Sequence, residues 1–172
     1  MKTKEDIIII GGAPASGKSS TAKALTKFFP SGVRIEVDNL RSMVISVDWT
    51  NQDEHISILN LSTNLVYDFY QLKFHPIIVV DTFSGNKILN YHEKLLKLNK
   101  NLSIKIFGLY VSNEELERRI GSRNEGEFKD LEICKKLNRD VLKIKHPDEF
   151  QIDTTRLTPE DTARIIFDQI IS

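Results

Sequence analysis

The sequence predicts an α/β fold in three layers, a five-stranded parallel sheet with helices on both faces. Three observations carry it. Short β-branched runs alternate with longer segments of helical period along the chain. Two of the runs, Ile7-Ile8-Ile9-Ile10 and Ile77-Ile78-Val79-Val80, are apolar at every position, as strands covered on both faces require. The first run stops at Gly11-Gly12, and Gly12 to Ser19 then spell G-x-x-x-x-G-K-S between a strand and a helical segment.

The elements follow in order. After the glycine-rich loop, Ser19 to Phe29 places Ala22, Leu25, Phe28 and Phe29 at helix-compatible spacing. Val33 to Val37 is a short strand ending at Asp38. Asp53 to Phe74 carries Ile56, Leu59, Leu65, Val66 and Phe69 at roughly the helical period, and Pro76 breaks it. Ile77 to Val80 is the third strand, ending at Asp81. Asn86 to Leu98 reads as a helix and Ser103 to Val111 as the fourth strand. Asn113 to Ser122 is a charged helix with Ser112 as its cap, since Glu115 lies three residues on. Arg123 to Glu127 is polar and reads as a mobile loop, and Asp130 to Lys145 returns to the helical period. Glu149 to Asp153 is the last strand, and Pro159 suits the first turn of a final helix over Thr158 to Ile171. In such sheets ligands sit beyond the carboxyl ends of the strands, and Gly12, Asp38 and Asp81 all fall there.

With 172 residues and no internal repeat or Pro/Gly-rich linker, the chain reads as one domain over 1–172, with a lid at residues 113–130. Lysines and arginines balance acids at a formal net charge of 0, so no global basic field gathers nucleic acid or anionic membrane. The one cysteine, Cys134, excludes an internal disulfide and a cysteine-based metal site, and it reads as a small apolar core residue. The four histidines lack ligand spacing. The polar start, Met1 to Asp6, and an apolar run of only four residues argue against a signal peptide, and a cytoplasmic protein is expected.

The loop carries the chemistry. Gly12 and Gly17 allow backbone conformations that turn successive N–H groups of Gly12, Ala13, Pro14, Ala15, Ser16, Gly17, Lys18, Ser19 and Ser20 (proline contributing none) toward a phosphate. Lys18 brings a cation to the β- and γ-phosphates of ATP, and the Ser19 hydroxyl can ligate Mg²⁺. This is the P-loop pattern. Asp38 is placed to take a proton from an attacking hydroxyl, and Arg41, one turn on, to grip the acceptor. Asp38 equally suits a helix cap, with Arg41 pairing a surface carboxylate. Asp81 can hold Mg²⁺, orient a basic side chain, or cap the next helix. Arg119 and Arg123 are four apart and can close cationic charge over the phosphates, or lie on a solvated face beside Glu114, Glu115 and Glu117.

With these residues assembled, the chain resembles small P-loop kinases, especially the branch of polynucleotide kinase-like, zeta toxin-like and chloramphenicol phosphotransferase-like enzymes. The resemblance rests on Gly12 to Ser19, on Asp38-x-x-Arg41, on Val80-Asp81-Thr82 and on Arg119-x-x-x-Arg123, and it spans nearly the whole chain. It implies a general base at Asp38, a substrate contact at Arg41, an orienting role for Asp81 toward that arginine, and phosphate contacts from Arg123 and Arg119. It also implies that Ile152-Asp153-Thr154-Thr155 borders the adenine. The expected activity is transfer of phosphate from ATP, with Mg²⁺, to a hydroxyl of a small-molecule or nucleoside-like acceptor. The alternatives are a 5′-hydroxyl polynucleotide kinase, which the absent basic stripe disfavours, and a nucleotide-dependent regulatory ATPase.

Overall fold

The computed structural model describes residues 4–143 and 146–171. Five strands form one parallel sheet: β1 (Ile7–Gly12), β2 (Val33–Glu36), β3 (Ile77–Val80), β4 (Ile104–Tyr110) and β5 (Glu149–Asp153). Their order across the sheet is β2-β3-β1-β4-β5. β1 is central, pairing Ile7 with Ile77 on one side and Ile104 on the other. Each of its four isoleucines is fully buried. At roughly 1.5–3 kcal/mol per buried aliphatic side chain, this strand is a main anchor of the core.

Alternation along β1 divides the core in two. Ile8 and Ile10 face α1 (Lys18–Leu25) and α7 (Pro159–Ile171), packing with Ala22, Leu25, Ile166 and Ile170. Ile7 and Ile9 face α3 (Gln52–Gln71) and α4 (Lys87–Leu98), packing with Leu59, Val66, Tyr91 and Leu95. A five-residue α2 (Val37–Arg41) follows β2, and α5 (Asn113–Gly121) and α6 (Leu131–Lys143) lie between β4 and β5. α5 and α6 share a small cluster of Val111, Leu116, Ile120 and Cys134, so the cysteine is a buried apolar residue, as expected. No helix among the described residues is long and apolar enough to cross a membrane.

Two boundaries differ from the sequence expectation in ways that matter. β2 ends at Glu36, and Val37-Asp38 already belongs to the first turn of α2. α5 ends at Gly121, so Arg123 lies beyond it and does not share its face with Arg119. The C-terminal part expected for α6, residues 144–145, lies outside the described residues. The predicted cap holds: Ser112 Oγ accepts from the Glu115 N–H at 3.2 Å. The Glu115 carboxylate does not return to Ser112: it accepts from Arg118 and Arg119, and the Ser112 N–H donates to Thr155 Oγ1 at 2.9 Å.

Candidate active site

β1 delivers the glycine-rich loop to the carboxyl edge of the sheet, at the point where the chain crosses to either side of the central strand. Gly12 has φ of 151°, and a Cβ there would meet Ser16 Oγ at 2.4 Å and the Leu109 carbonyl at 2.6 Å. Only glycine fits. Ala15 and Gly17 also have positive φ, 64° and 93°, which gives the loop its inward curl. Gly17 caps α1 without a side-chain hydrogen bond, leaving that helix terminus open to an anion. Lys18 Nζ donates to the Ala13 carbonyl at 3.2 Å, which holds the ammonium over the loop. Burial pushes its pKa down, while the carboxylates of Asp81 and Asp38 pull the other way. Ser19 and Ser20 stand exposed in the first turn of α1.

Beside the loop runs a groove of about 710 Å³, lined by Gly17, Lys18, Arg119, Arg123, Thr155 and Arg156 among others. Its size and excess of cations suit a nucleotide triphosphate. Arg119 is engaged by protein acceptors through all three of its nitrogens. Nε donates to Glu115 at 2.8 Å, Nη1 to the Ala15 carbonyl at 3.3 Å, and Nη2 to the Thr154 carbonyl at 2.6 Å. It fastens α5 to the loop and to the end of β5. Arg123 donates to the Phe128 carbonyl at 2.7 Å and lines the same groove. The two arginines therefore meet at the groove through different routes rather than along one helix face.

On the other side of Lys18 lie Asp38, Arg41 and Asp81. Asp38 reaches solvent, yet surrounding protein desolvates its carboxyl enough to raise the pKa, with Asp81 adding repulsion and Lys18 and Arg41 opposing. Arg41 is buried. Its Nη2 donates to the Asp48 carbonyl at 3.1 Å and approaches Glu54 at 3.9 Å, while Trp49 stacks on the guanidinium at 4.7 Å. Arg41 Nε and Glu54 Oε1 are buried with no hydrogen-bond partner, so this corner retains unused polar capacity. Trp49 is half exposed and covers Arg41 rather than filling the core.

Asp81 takes His55, not Arg41, as its side-chain partner. His55 Nε2 lies 2.9 Å from Asp81 Oδ1, and the Phe83 N–H donates to Oδ2 at 3.1 Å. Burial alone would raise the Asp81 pKa; the hydrogen bonds from His55 and the Phe83 N–H, with the Lys18 ammonium, bring it below the ordinary value. The sequence expectation that Asp81 orients Arg41 is corrected here. A hydroxyl at Ser19 and a carboxylate at Asp81 are hard oxygen donors of the kind Mg²⁺ takes, so the donor set fits that ion.

A family described as chloramphenicol phosphotransferase-like protein matches residues 5–171. The chain belongs to that family. Its solved structural neighbours share the fold at low identity. An APS kinase from Mycobacterium tuberculosis, in complex with AMPPNP and APS, superposes at a TM-score of 0.75 with 16% identity over 100% of both chains. A sugar kinase from Janibacter sp. HTCC2649 gives 0.71 and 17%, over 96% of this chain and 95% of the other. The tunicamycin resistance protein of Deinococcus radiodurans gives 0.68 and 19%, over 97% and 96%. A search of curated protein sequences finds no match. The sheet and helices thus share the fold of these kinases, and this phosphotransferase-like chain carries its glycine-rich loop at the carboxyl end of β1.

Two contributors to the site of this family member, His55 and Lys87, escape a linear reading, and a third, Thr154, has a bond that the sequence does not show. His55 has no ligand spacing in the sequence; only the pairing of β3 with β2 brings α3 over Asp81. Thr154 ties β5 to the loop, donating to the Ser16 carbonyl at 2.9 Å. Lys87 reaches His55 Nδ1 at 3.0 Å and Gln52 at 2.8 Å. The Asp81 that follows four apolar residues was the available signal, since a buried carboxylate demands donors.

Proposed function

We propose that this chain is an ATP-dependent phosphotransferase that moves the γ-phosphate to a hydroxyl of a small-molecule or nucleoside-like acceptor. One observation carries the reading: a curled anion loop with Lys18 on one side, and on the other a carboxylate, Asp38, whose pKa is raised and whose charge acts directly on that lysine. A switch that only binds nucleotide has no use for such a base.

In this reading Gly12 to Ser20 and Arg156 hold the triphosphate in the 710 Å³ groove. Lys18 neutralises charge on the β- and γ-phosphates. Ser19 and Asp81 would hold Mg²⁺, which would supply further charge neutralisation at the phosphates. Asp38 accepts the acceptor's hydroxyl proton as that oxygen bonds to Pγ and the bond from Pγ to the bridging oxygen breaks, releasing ADP. Arg41 orients the acceptor, its Nε offering an unused donor. Arg123, on a lid over residues 113–130, covers the phosphates and excludes water. Rate enhancement then comes from positioning and charge neutralisation.

The test is ADP release with Mg²⁺ across sugars, nucleosides, hydroxylated antibiotics and 5′-hydroxyl oligonucleotides, with mass detection of the phosphorylated product. One acceptor class is expected to stimulate turnover and to appear as a phosphate ester. Slow hydrolysis unaffected by every class would overturn the reading in favour of a regulatory ATPase.

A further inference from the structure

Behind Asp81 the structure holds a relay, buried at Asp81 and His55 and opening toward the surface at Lys87 and Gln52, that the phosphotransfer reading leaves unused. His55 sits in the first turn of α3, itself fixed by Asn51, whose side chain accepts from the Glu54 N–H at 3.0 Å. The His55 ring is buried, and so is Asp81. On the far side of the ring, Lys87 Nζ from the first turn of α4 lies 3.0 Å from Nδ1 and donates to Gln52 Oε1 at 2.8 Å. Gln52 and His55 are three apart on α3 and share a face, so both address the same lysine.

The donor inventory fixes the direction of the chain. A lysine ammonium carries donors only, so His55 Nδ1 accepts and the ring proton sits on Nε2. Nε2–H then donates to Asp81 Oδ1, while Oδ2 is held by the Phe83 N–H. Two donors from two directions leave the carboxylate no freedom to rotate. Phe83 reinforces this, since its φ of 52° is held by packing against Tyr91, with ring centroids 5.3 Å apart. The Asp81 backbone N–H meanwhile bonds the Ile10 carbonyl at 3.4 Å, at the start of the loop.

We propose that His55 is the positioning residue for Asp81, with Lys87 and Gln52 fixing its tautomer, so that α3 and α4 together aim that carboxylate at the metal end of the loop. This rests on the reading of Asp81 as a ligand toward Mg²⁺. His55 itself touches neither the nucleotide groove nor the reacting atoms. Partners of this kind behind a ligating group orient it, and losing one costs about 10- to 100-fold in metal affinity or activity.

The experiment measures ATP affinity in EDTA and in Mg²⁺ for wild type, His55→Phe, His55→Gln, Asp81→Asn and the His55→Phe/Asp81→Asn double variant. No acceptor is needed. Long-range ¹H–¹⁵N spectra of the wild-type imidazole accompany it. The Nε2–H tautomer is expected, and an Nδ1–H ring would overturn the relay. His55→Phe is expected to keep metal-free ATP binding, which also shows that it folds, and to lose about tenfold or more of the affinity gained with Mg²⁺. His55→Gln, which retains a donor at the Nε2 position, recovers most of that loss. In the Asp81→Asn background His55→Phe adds little. If Asp81→Asn removes the Mg²⁺ gain and His55→Phe does not, the positioning role fails alone. If Asp81→Asn leaves the gain intact, the metal role of Asp81 fails and the inference with it. Equal losses in His55→Phe and His55→Gln, with metal-free binding lost in parallel, would make His55 a packing residue only.

Discussion

Thr154 donates its hydroxyl to the Ser16 carbonyl at 2.9 Å, joining the end of the last strand to the loop after the first. The same oxygen lies 3.3 Å from Arg119 Nη1 and shares its proton with the Tyr110 carbonyl at 3.1 Å. Strand β5, helix α5 and the anion loop are thereby held at one buried point. Thr154→Val keeps the shape and removes the hydroxyl. Leaving a buried carbonyl without its donor costs about 1–3 kcal/mol, so urea unfolding should show a loss in that range. ATP affinity, read by calorimetry, should fall with it, and wild-type values in both would show that the loop holds itself.

The glycines of the chain divide by what a methyl group would meet. At Gly12 a Cβ collides with Ser16 Oγ and the Leu109 carbonyl. Gly12→Ala should lose nucleotide binding, and its backbone conformation alone adds about 1–3 kcal/mol of strain. At Gly121, the last residue of α5, a Cβ meets nothing within 4 Å. Gly121→Ala should leave binding unchanged and add up to about 1 kcal/mol of stability through helix propensity. Paired thermal melts and ATP titrations separate the two.

Much of this fold is legible because its central strands are apolar on both faces, and only a sheet covered on both sides explains Ile7 to Ile10 and Ile77 to Val80. The loop is legible because its conformation restricts the residue types at Gly12 and Gly17. What a linear reading misses is lateral. His55 and Asp81 are 26 residues apart, and they meet because β3 inserts between β2 and β1 and lays α3 over the end of the sheet. Helix ends mislead for a related reason. Arg119 and Arg123 have helical spacing, but α5 stops at Gly121 once its apolar side, Leu116 and Ile120, is buried.

Asp38 is the group whose titration should govern the acid side of the activity profile. Burial and the nearby Asp81 raise its pKa, so it protonates at higher pH than an ordinary aspartate. Turnover should therefore fall on acidification through a limb above the normal carboxylate range. The linkage sign gives a second expectation. A raised folded-state pKa favours the protonated form, so stability from this group is present at low pH and lost as pH rises through that pKa. Asp38→Asn should lose most of its transfer rate yet melt higher than wild type at neutral pH, with the advantage vanishing in acid. A lower melting temperature at neutral pH would contradict this.

Glu115 shows the opposite behaviour. Hydrogen bonds from Arg118 and Arg119 hold its pKa down at about 2, against an ordinary value of 4.5. A depressed carboxylate contributes stability above its unfolded pKa and loses it as pH falls toward the folded one. Glu115→Gln should therefore melt below wild type at neutral pH, with the gap closing between about pH 4.5 and pH 2. A gap independent of pH would mean that the arginines are held by something other than charge. Because Glu115 also steadies Arg119 against the loop, ATP affinity in the variant should weaken at neutral pH.

The most direct test of the account uses a single preparation of Asp38→Asn, with ATP dissociation constant and acceptor-stimulated phosphate transfer measured side by side against wild type. Asp38 is not among the residues lining the 710 Å³ groove, and in the proposed mechanism it acts on the acceptor proton and not on ATP. The predicted result is ATP affinity close to wild type with transfer reduced by about 10²- to 10⁴-fold, the scale of a lost general base. Transfer at the wild-type rate with intact ATP binding would contradict the account, because the proton would then leave without the carboxylate that the site presents for it.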